Sequence, residues 1–293
     1  LFRSYPMNAI LNFPLNRQVF FMPDVQHEHF PEFFTPEILE QRKLAFNQAL
    51  SWGGAIGTNT EFTRQDILNL PATRCQEVFI MGPALQTEHA GEAVQFDSDE
   101  KHLIPQGKYF YFPANLWPHK NHFKTLTAFE RVLQKTSQPV ELILSGHPDG
   151  WEALKAQFPN LPVKHLGFVK SHMVQELLQH AKALVFFSLY EGFGMPLLEA
   201  FAAGTPVICS NTTALQEVGG DAVLSCPPQD IEAMSNLMVR ILEEPLLAQR
   251  LTTKGYERLK LFSWEKSAAA LNEAFERVNQ QPEFQLSEGP LVS

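Results

Sequence analysis

Residues Ser188-Leu-Tyr-Glu191-Gly-Phe-Gly194-Met-Pro196-Leu-Leu-Glu199-Ala-Phe-Ala-Ala-Gly204-Thr-Pro206-Val-Ile decide how this chain folds. The short apolar run Ala183 to Phe187 just before them reads as a buried strand. Gly192 and Gly194 then permit a tight turn and close approach of the backbone to a ligand. Pro196 suits the start of a helix, where the N–H it lacks is not needed. Leu197, Leu198, Phe201 and Ala202 supply an apolar face, and Gly204 stops the helix. Thr205 to Cys209 is the next buried strand. Strand, glycine-rich turn, helix, strand is the unit from which parallel sheets are assembled.

Two carboxylates bring chemistry to this unit. Glu191 sits in the turn, at the carboxyl end of a strand, where open α/β sheets bind ligands. Glu199 lies near the start of the helix. The backbone N–H groups around Gly194 and Met195 point out of the helix N-terminus, a setting that favours a phosphate. Carboxylates accept hydrogen bonds from sugar hydroxyls. An anionic head joined to hydroxyl-rich groups satisfies both demands, and a nucleotide sugar is such a molecule.

The same unit recurs on either side. Lys108 to Phe112, Val140 to Leu144, Val163 to Leu166, Pro206 to Cys209 and Ala222 to Leu224 read as further strands, with helical patterns between them. Right-handed crossovers then place every loop that follows a strand on one edge of the sheet. That edge gathers Asn115 to Asn121, Ser145 to His147, Gly167 to Val169 and Glu191 to Gly194. After Cys226, helices are predicted over 230–242, 246–253 and 263–279, and the polar tail 280–293 is expected to fray. Toward the N-terminus, Val19 to Met22, Ala55 to Asn59 and Glu77 to Met81 read as strands. Thr35-Pro36-Glu37 and Thr60-Glu61 read as capped helix starts. Residues 1–18 show no period, and 24–34 read as a loop. Residues 83–107 read as a polar linker. Asp97-Ser98-Asp99 within it matches a short metal-binding pattern, but no strand leads into it, so a solvated acidic linker is the reading preferred.

Composition bounds the function. The chain has 293 residues, ample for one large domain or two smaller ones. Its net charge of −9, with no long basic run, argues against nucleic acid as a partner. Cys75, Cys209 and Cys226 form no CxxC pair and read as free thiols of a reducing, cytoplasmic setting. No apolar run approaches the ~18 residues of a spanning helix.

Glu191, seven residues, then Glu199, within Tyr-Glu-Gly-Phe-Gly-Met-Pro-Leu-Leu-Glu-Ala, resembles the E-x7-E motif of retaining glycosyltransferases of family 4. Tyr111-Phe-Pro-Ala-Asn115-Leu-Trp-Pro-His-Lys120-Asn121 resembles the strand and loop that carry that family's donor-phosphate lysine. Pro206 to Asn211, followed by Glu217-Val-Gly-Gly-Asp221-Ala, is a third match. The resemblance covers about Phe20 to Asn279 and is most specific in the second half.

The resemblance implies an α/β chain of GT-B type: two Rossmann-like domains with parallel sheets, the N-terminal one incomplete. The expected divisions are a partial acceptor-side domain over 1–95, a nucleotide-sugar domain over 96–262, and a crossing helix with tail over 263–293. It implies catalytic roles for Glu191, Lys120 and His27. His27 lies in the Asp24–Phe34 loop, where a family histidine is replaced by Pro23; as a residue it reads equally as a packed side chain. Donor contacts fall to Asn115, Lys120, Gly167, Phe168, Val169, Glu191, Gly192, Phe193, Gly194, Met195, Pro196, Leu197 and Glu199. Asn115 stands where the family usually has arginine, so it brings hydrogen bonds without charge.

The implied activity is transfer of a hexose, by family habit mannose, from a nucleoside-diphosphate sugar to an acceptor hydroxyl with retention. The donor is a co-substrate; no bound cofactor or metal is expected. The expected acceptor is a glycan or lipid-linked saccharide, used in the cytoplasm or at the cytoplasmic face of a membrane through peripheral association. A GT-B nucleotide-sugar epimerase and a donor-binding remnant without catalysis are the rival readings. A Rossmann oxidoreductase fits less well, since Gly192-Phe-Gly194-Met-Pro-Leu lacks the third glycine of a dinucleotide fingerprint.

Overall fold

The computed structural model describes residues 2–3, 15–75, 77–85 and 101–280. The chain divides into two compact units, one formed by Leu1–Pro83 with Trp264–Ser293 and the other by Ala84–Ser263. Asp97-Ser98-Asp99 and the tail 281–293 lie outside the described residues.

In the first unit, β1 (Phe2–Arg3), β2 (Val19–Phe21), β3 (Ala55–Thr58) and β4 (Val78–Ile80) form a parallel sheet in that order. β1 escapes sequence reading because two residues carry no period. The segment after β2, expected as loop, folds into α1 (Gln26–His29) and a 3-10 turn at Pro31–Phe33. Local bonds cause this: Asp24 Oδ1 accepts the N–H of Gln26 at 3.0 Å, and Pro31 opens the second turn. α2 (Pro36–Trp52) and α3 (Glu61–Leu68) start at Thr35 and Thr60, whose hydroxyls accept the N–H of Ile38 and Thr63. Phe20, Met22, Phe46, Leu50, Ile56 and Ile67 are buried together on one face of the sheet.

The second unit alternates strand and helix throughout. Its strands are β5 (Lys108–Pro113), β6 (Val140–Ser145), β7 (Val163–His165), β8 (Ala183–Phe186), β9 (Val207–Ser210) and β10 (Val223–Cys226). Its helices are α4 (His122–Lys135), α5 (Trp151–Lys155), α6 (Ser171–His180), α7 (Met195–Ala203), α8 (Thr213–Gly219), α9 (Ile231–Glu243) and α10 (Pro245–Leu259). The sheet order is β10-β9-β8-β5-β6-β7, all parallel. Chain order reverses between β5 and β8. That is the doubly wound arrangement, and the reversal is the switch point where such sheets open a crevice. Tyr109, Phe110, Tyr111 and Phe112 of β5 are fully buried, as a strand covered on both faces requires. The two phenols find partners: Tyr109 donates to the carbonyl of Leu177 at 2.8 Å, and Tyr111 bonds Ser145 Oγ at 2.6 Å.

The chain then adds α11 (Trp264–Asn279) to the first unit. Ala274 and Val278 bury against Val19, Ala55 and Phe79. Arg277 grips both oxygens of Glu77 at 2.8 and 2.7 Å, and Ser267 Oγ donates to the carbonyl of Gly82 at 2.5 Å. Among the described residues no helix is long and apolar enough to cross a membrane.

α10 runs to Leu259, beyond the break expected near Thr253, because Gly255 is where it lies against α7. A Cβ there would stand 2.8 Å from Cδ1 of Phe201. Gly→Ala in an exposed helix normally stabilises by up to about 1 kcal/mol. Here crowding at the root of a buried ring reverses the sign, since overpacking costs about 1–3 kcal/mol. Gly255→Ala is therefore expected to lower the thermal midpoint, and adding Phe201→Leu to recover part of the loss, as read by thermal unfolding of the single and double variants.

Candidate active site

The site is assembled at the switch point from the loops after β5 and β8. After β5 the chain passes Asn115 and Trp117 into a 3-10 turn, Pro118–Lys120, then bends through Asn121 into α4. After β8 it passes Ser188 and Glu191 to Gly194, where α7 begins. Backbone bonds tie the two loops directly: the N–H of Leu189 donates to the carbonyl of His119 at 2.7 Å. The side-chain amide of Asn121 donates to the carbonyls of Phe187 at 3.0 Å and Pro228 at 2.8 Å.

These ties bring Lys120 and Glu191 together across 71 residues of sequence. Lys120 Nζ lies 2.6 Å from Glu191 Oε1, with the side chains only 13% and 12% exposed. The ammonium also stands 5.0 Å from the centre of the Phe186 ring, within cation–π range. Thr213 Oγ1 accepts the N–H of Glu191 at 3.2 Å, and the N–H of Ala214 donates to the carbonyl of Glu191 at 3.4 Å.

Gly194 caps α7 with φ 107°, a backbone angle that demands glycine, and Cδ2 of Leu215 lies 2.5 Å from where a Cβ would stand. No side chain caps this helix, and among the described residues the N–H groups of Gly194 and Met195 take no hydrogen bond. They are the donors a phosphate would use. Pro196 occupies the first turn, and Gly204 ends the helix with φ 73°. Phe193 and Leu197 turn inward, Phe193 edge-on to Phe262 at 5.5 Å, so these two offer the site backbone and packing. Glu199 is largely buried, and that burial raises its carboxyl pKa.

A cavity of about 290 Å³ continues from Lys120 toward β7, lined by Asn115, Trp117, Gly146, Phe168 and Val169 among others. The expected residues Asn115, Lys120, Phe168 and Val169 thus share one hollow. Asn115 Oδ1 accepts the N–H of His147 at 2.9 Å, which leaves its amide hydrogens free to face a ligand. Gly167 holds φ 69°, and Phe168 beside it is 74% exposed. His119 and His122 add no charge to Lys120. Burial, and for both the ammonium of Lys120, pushes their pKa values down to about 3, and His122 stacks on Phe112 at 4.4 Å.

Trp117 and Thr213 escaped sequence reading. Trp117 carries a visible signal, an aromatic three residues before the lysine. Thr213 carries none, because its role depends on a backbone angle.

His27 belongs to the other unit. It is 1% exposed, its ring edge-on to Phe46 at 4.5 Å, with Nε2 3.4 Å from Glu28. The neighbouring His29 bonds both oxygens of Asp66, at 2.7 and 2.8 Å. Cys75, Cys209 and Cys226 are free thiols. Among the described residues no three His, Cys, Asp or Glu side chains gather as a metal site would.

The fold and site define a class of α/β protein, two Rossmann-like units with a lysine–glutamate pair at the switch point of the second. A family profile described as "Glycosyl transferases group 1" matches residues 94–258, more than half of the chain, and the chain belongs to that family. It is 28% identical over 265 residues to the O-antigen chain mannosyltransferase B of Escherichia coli, covering 88% of this chain and 70% of that protein. It is 30% identical over 166 residues to the MMP alpha-(1->4)-mannosyltransferase of Mycolicibacterium hassiacum, covering 55% of this chain and 40% of that protein. Among solved structures it superposes on WaaG, a glycosyltransferase involved in lipopolysaccharide biosynthesis, with TM-score 0.71 at 15% identity, over 96% of this chain and 78% of that one. The sucrose-phosphate synthase of Thermosynechococcus elongatus gives TM-score 0.70 at 20% identity, over 90% and 68%. At such identities these two likenesses bear on the fold.

Burial depresses the His27 pKa from 6.5 to about 4, with Arg42 and Lys43 contributing. The unfolded chain therefore binds more protons than the folded one between those values, and stability falls as pH drops from about 6.5 toward 4. One such group contributes a slope of at most about 1.4 kcal/mol per pH unit. His27→Leu is expected to flatten the pH dependence of the denaturant midpoint over that window, as measured by urea titrations at successive pH values.

Proposed function

We propose that this chain transfers a hexose, mannose, from a nucleoside-diphosphate sugar to an acceptor hydroxyl during glycan assembly, with retention at the anomeric carbon. The observation that carries the proposal is the contact of Lys120 with Glu191 beside unbonded amides at the start of α7. Retention is supported by the E-x7-E resemblance, and mannose by the names of the two relatives.

The chemistry follows from where charge grows. The bond between the anomeric carbon and the diphosphate oxygen breaks and its electrons move onto the leaving diphosphate, while the acceptor oxygen bonds the anomeric carbon and its proton passes to the departing diphosphate. Fixed positive charge and N–H dipoles aimed at that oxygen lower the barrier, because they need no reorganisation when the charge appears. Lys120 supplies the charge, and the N–H groups of Gly194 and Met195 the dipoles. Glu191 accepts hydrogen bonds from the hydroxyls of the transferred sugar, and Glu199 from the ribose or the sugar. Gly167 to Val169 line the nucleobase, and Asn115 adds neutral hydrogen bonds. The acceptor is a glycan or lipid-linked saccharide.

The test is a thermal-shift panel of nucleotide sugars with a transfer assay. A donor at 100 times its dissociation constant stabilises by about 2.7 kcal/mol. GDP-mannose is expected to give the largest shift in the panel, and the absence of any shift refutes donor binding. Glu191→Ala is expected to abolish transfer; full activity in that variant refutes the assignment. Incubation without acceptor distinguishes an epimerase, which would convert the free donor.

A further inference from the structure

Among the described residues, two that are not glycine adopt a left-handed backbone: Asn121 at φ 62° and Thr213 at φ 55°. Each touches one member of the Lys120–Glu191 pair. Asn121 follows Lys120 directly, and Thr213 bonds the backbone of Glu191. Left-handed asparagine is tolerated, but a β-branched residue there is a true outlier, disfavoured by the crowding of its own side chain. Strain of this kind survives where the surroundings enforce it, and it concentrates at functional sites.

We propose that Asn121 and Thr213 are positioning residues that hold Lys120 and Glu191 in register for one donor molecule. The proposal rests on the nucleotide-sugar reading of the site. The bend at Thr213 sets its hydroxyl under the N–H of Glu191 while the next N–H, of Ala214, reaches the carbonyl of the same residue. Both backbone polar groups of Glu191 are thus held by two successive residues of α8. The following residue, Leu215, closes against Gly194 and fixes the far end of the same turn. A glycine would adopt φ 55° without strain but would bring no hydroxyl. The threonine is therefore kept against local preference for the one group that glycine lacks.

Asn121 does the matching work for Lys120. Its side-chain amide spends both hydrogens on the carbonyls of Phe187 and Pro228. Phe187 stands at the end of β8, four residues before Glu191. With the bond from Leu189 to His119, the turn bearing Lys120 is fastened to the strand end bearing Glu191 on both sides of the lysine. Carboxylate and ammonium are then set by backbone bonds, independently of their own attraction. That matters once a diphosphate draws the ammonium away, because the carboxylate must keep its place to meet the sugar.

The test compares Thr213→Gly, which relieves the strain and removes the hydroxyl, with Thr213→Ser, which keeps the hydroxyl. Thr213→Gly is expected to fold with an unchanged or higher thermal midpoint. Its kcat should fall about tenfold or more, with nucleotide affinity by calorimetry within about threefold of wild type, since misplacement harms the transition state more than ground-state binding. Thr213→Ser should restore kcat to within about threefold of wild type. Wild-type kcat in Thr213→Gly, or equal impairment in the glycine and serine variants, overturns the positioning role. A parent protein that binds no nucleotide sugar overturns the nucleotide-sugar reading and this proposal with it.

Discussion

The second unit is built around one short contact between opposite charges that are mostly withdrawn from water. Lys120 and Glu191 meet at 2.6 Å with about seven-eighths of each side chain covered. Taking both charges out of water costs several kcal/mol, which their attraction recovers only with good geometry. Apolar side chains in the same place would hold the fold at least as well. Removing one partner is another matter, since it strands the other charge at a cost of about 3–5 kcal/mol. A pair that adds little to stability, yet is intolerant of single loss, is retained for what its members can bind. The Phe186 ring beneath the ammonium supports the charge without competing for its N–H donors.

The fold makes that contact possible through strand order. β5 and β8 are neighbours in the sheet although α4 to α6 and two strands intervene in sequence. Their crossovers leave on opposite sides, so the loops that follow them are the pair between which a crevice opens. Four consecutive buried aromatics in β5 and the apolar run of β8 fix both strands in the core. The loop ends are anchored on such strands, and Asn121 and the bond from Leu189 to His119 tie the two loops to each other. Precision at the site is thus inherited from apolar burial some residues away.

The sequence made much of this legible. Periodicity found the strands of the second unit to within two residues, because buried parallel strands are continuous apolar runs between glycine and proline signals. Lys120 and Glu191 stood out by residue type at strand ends. What escaped reading had no local pattern to reveal it. β1 is two residues long, and α1 follows a local turn in which Asp24 Oδ1 accepts the N–H of Gln26, where the apolar pattern is interrupted by histidines. α10 outran its expected end near Thr253, and Gly255 within it is a packing contact with Phe201. Thr213 has the composition of an ordinary helix start; only its φ angle marks it. Side-chain type is written in the sequence, but left-handed geometry on a residue that resists it is not.

The placement of Asn115 bears on how the site manages charge. Among the described residues lining the cavity, Lys120 carries the one formal charge. Asn115 is committed on its oxygen side to the N–H of His147, and His119 and His122 are held neutral by burial. Before a donor arrives, that single ammonium is balanced by Glu191. Under the proposed function, a diphosphate entering beside α7 would bring more negative charge than one lysine neutralises, and the unbonded amides of Gly194 and Met195 would share the load. With the ammonium turned toward phosphate, the Glu191 carboxylate would lose its partner and need donors, which sugar hydroxyls would meet. On that proposal one lysine would serve both tasks because they would occur in succession, first holding the carboxylate in a state it tolerates, then releasing it to a substrate whose phosphates take its place.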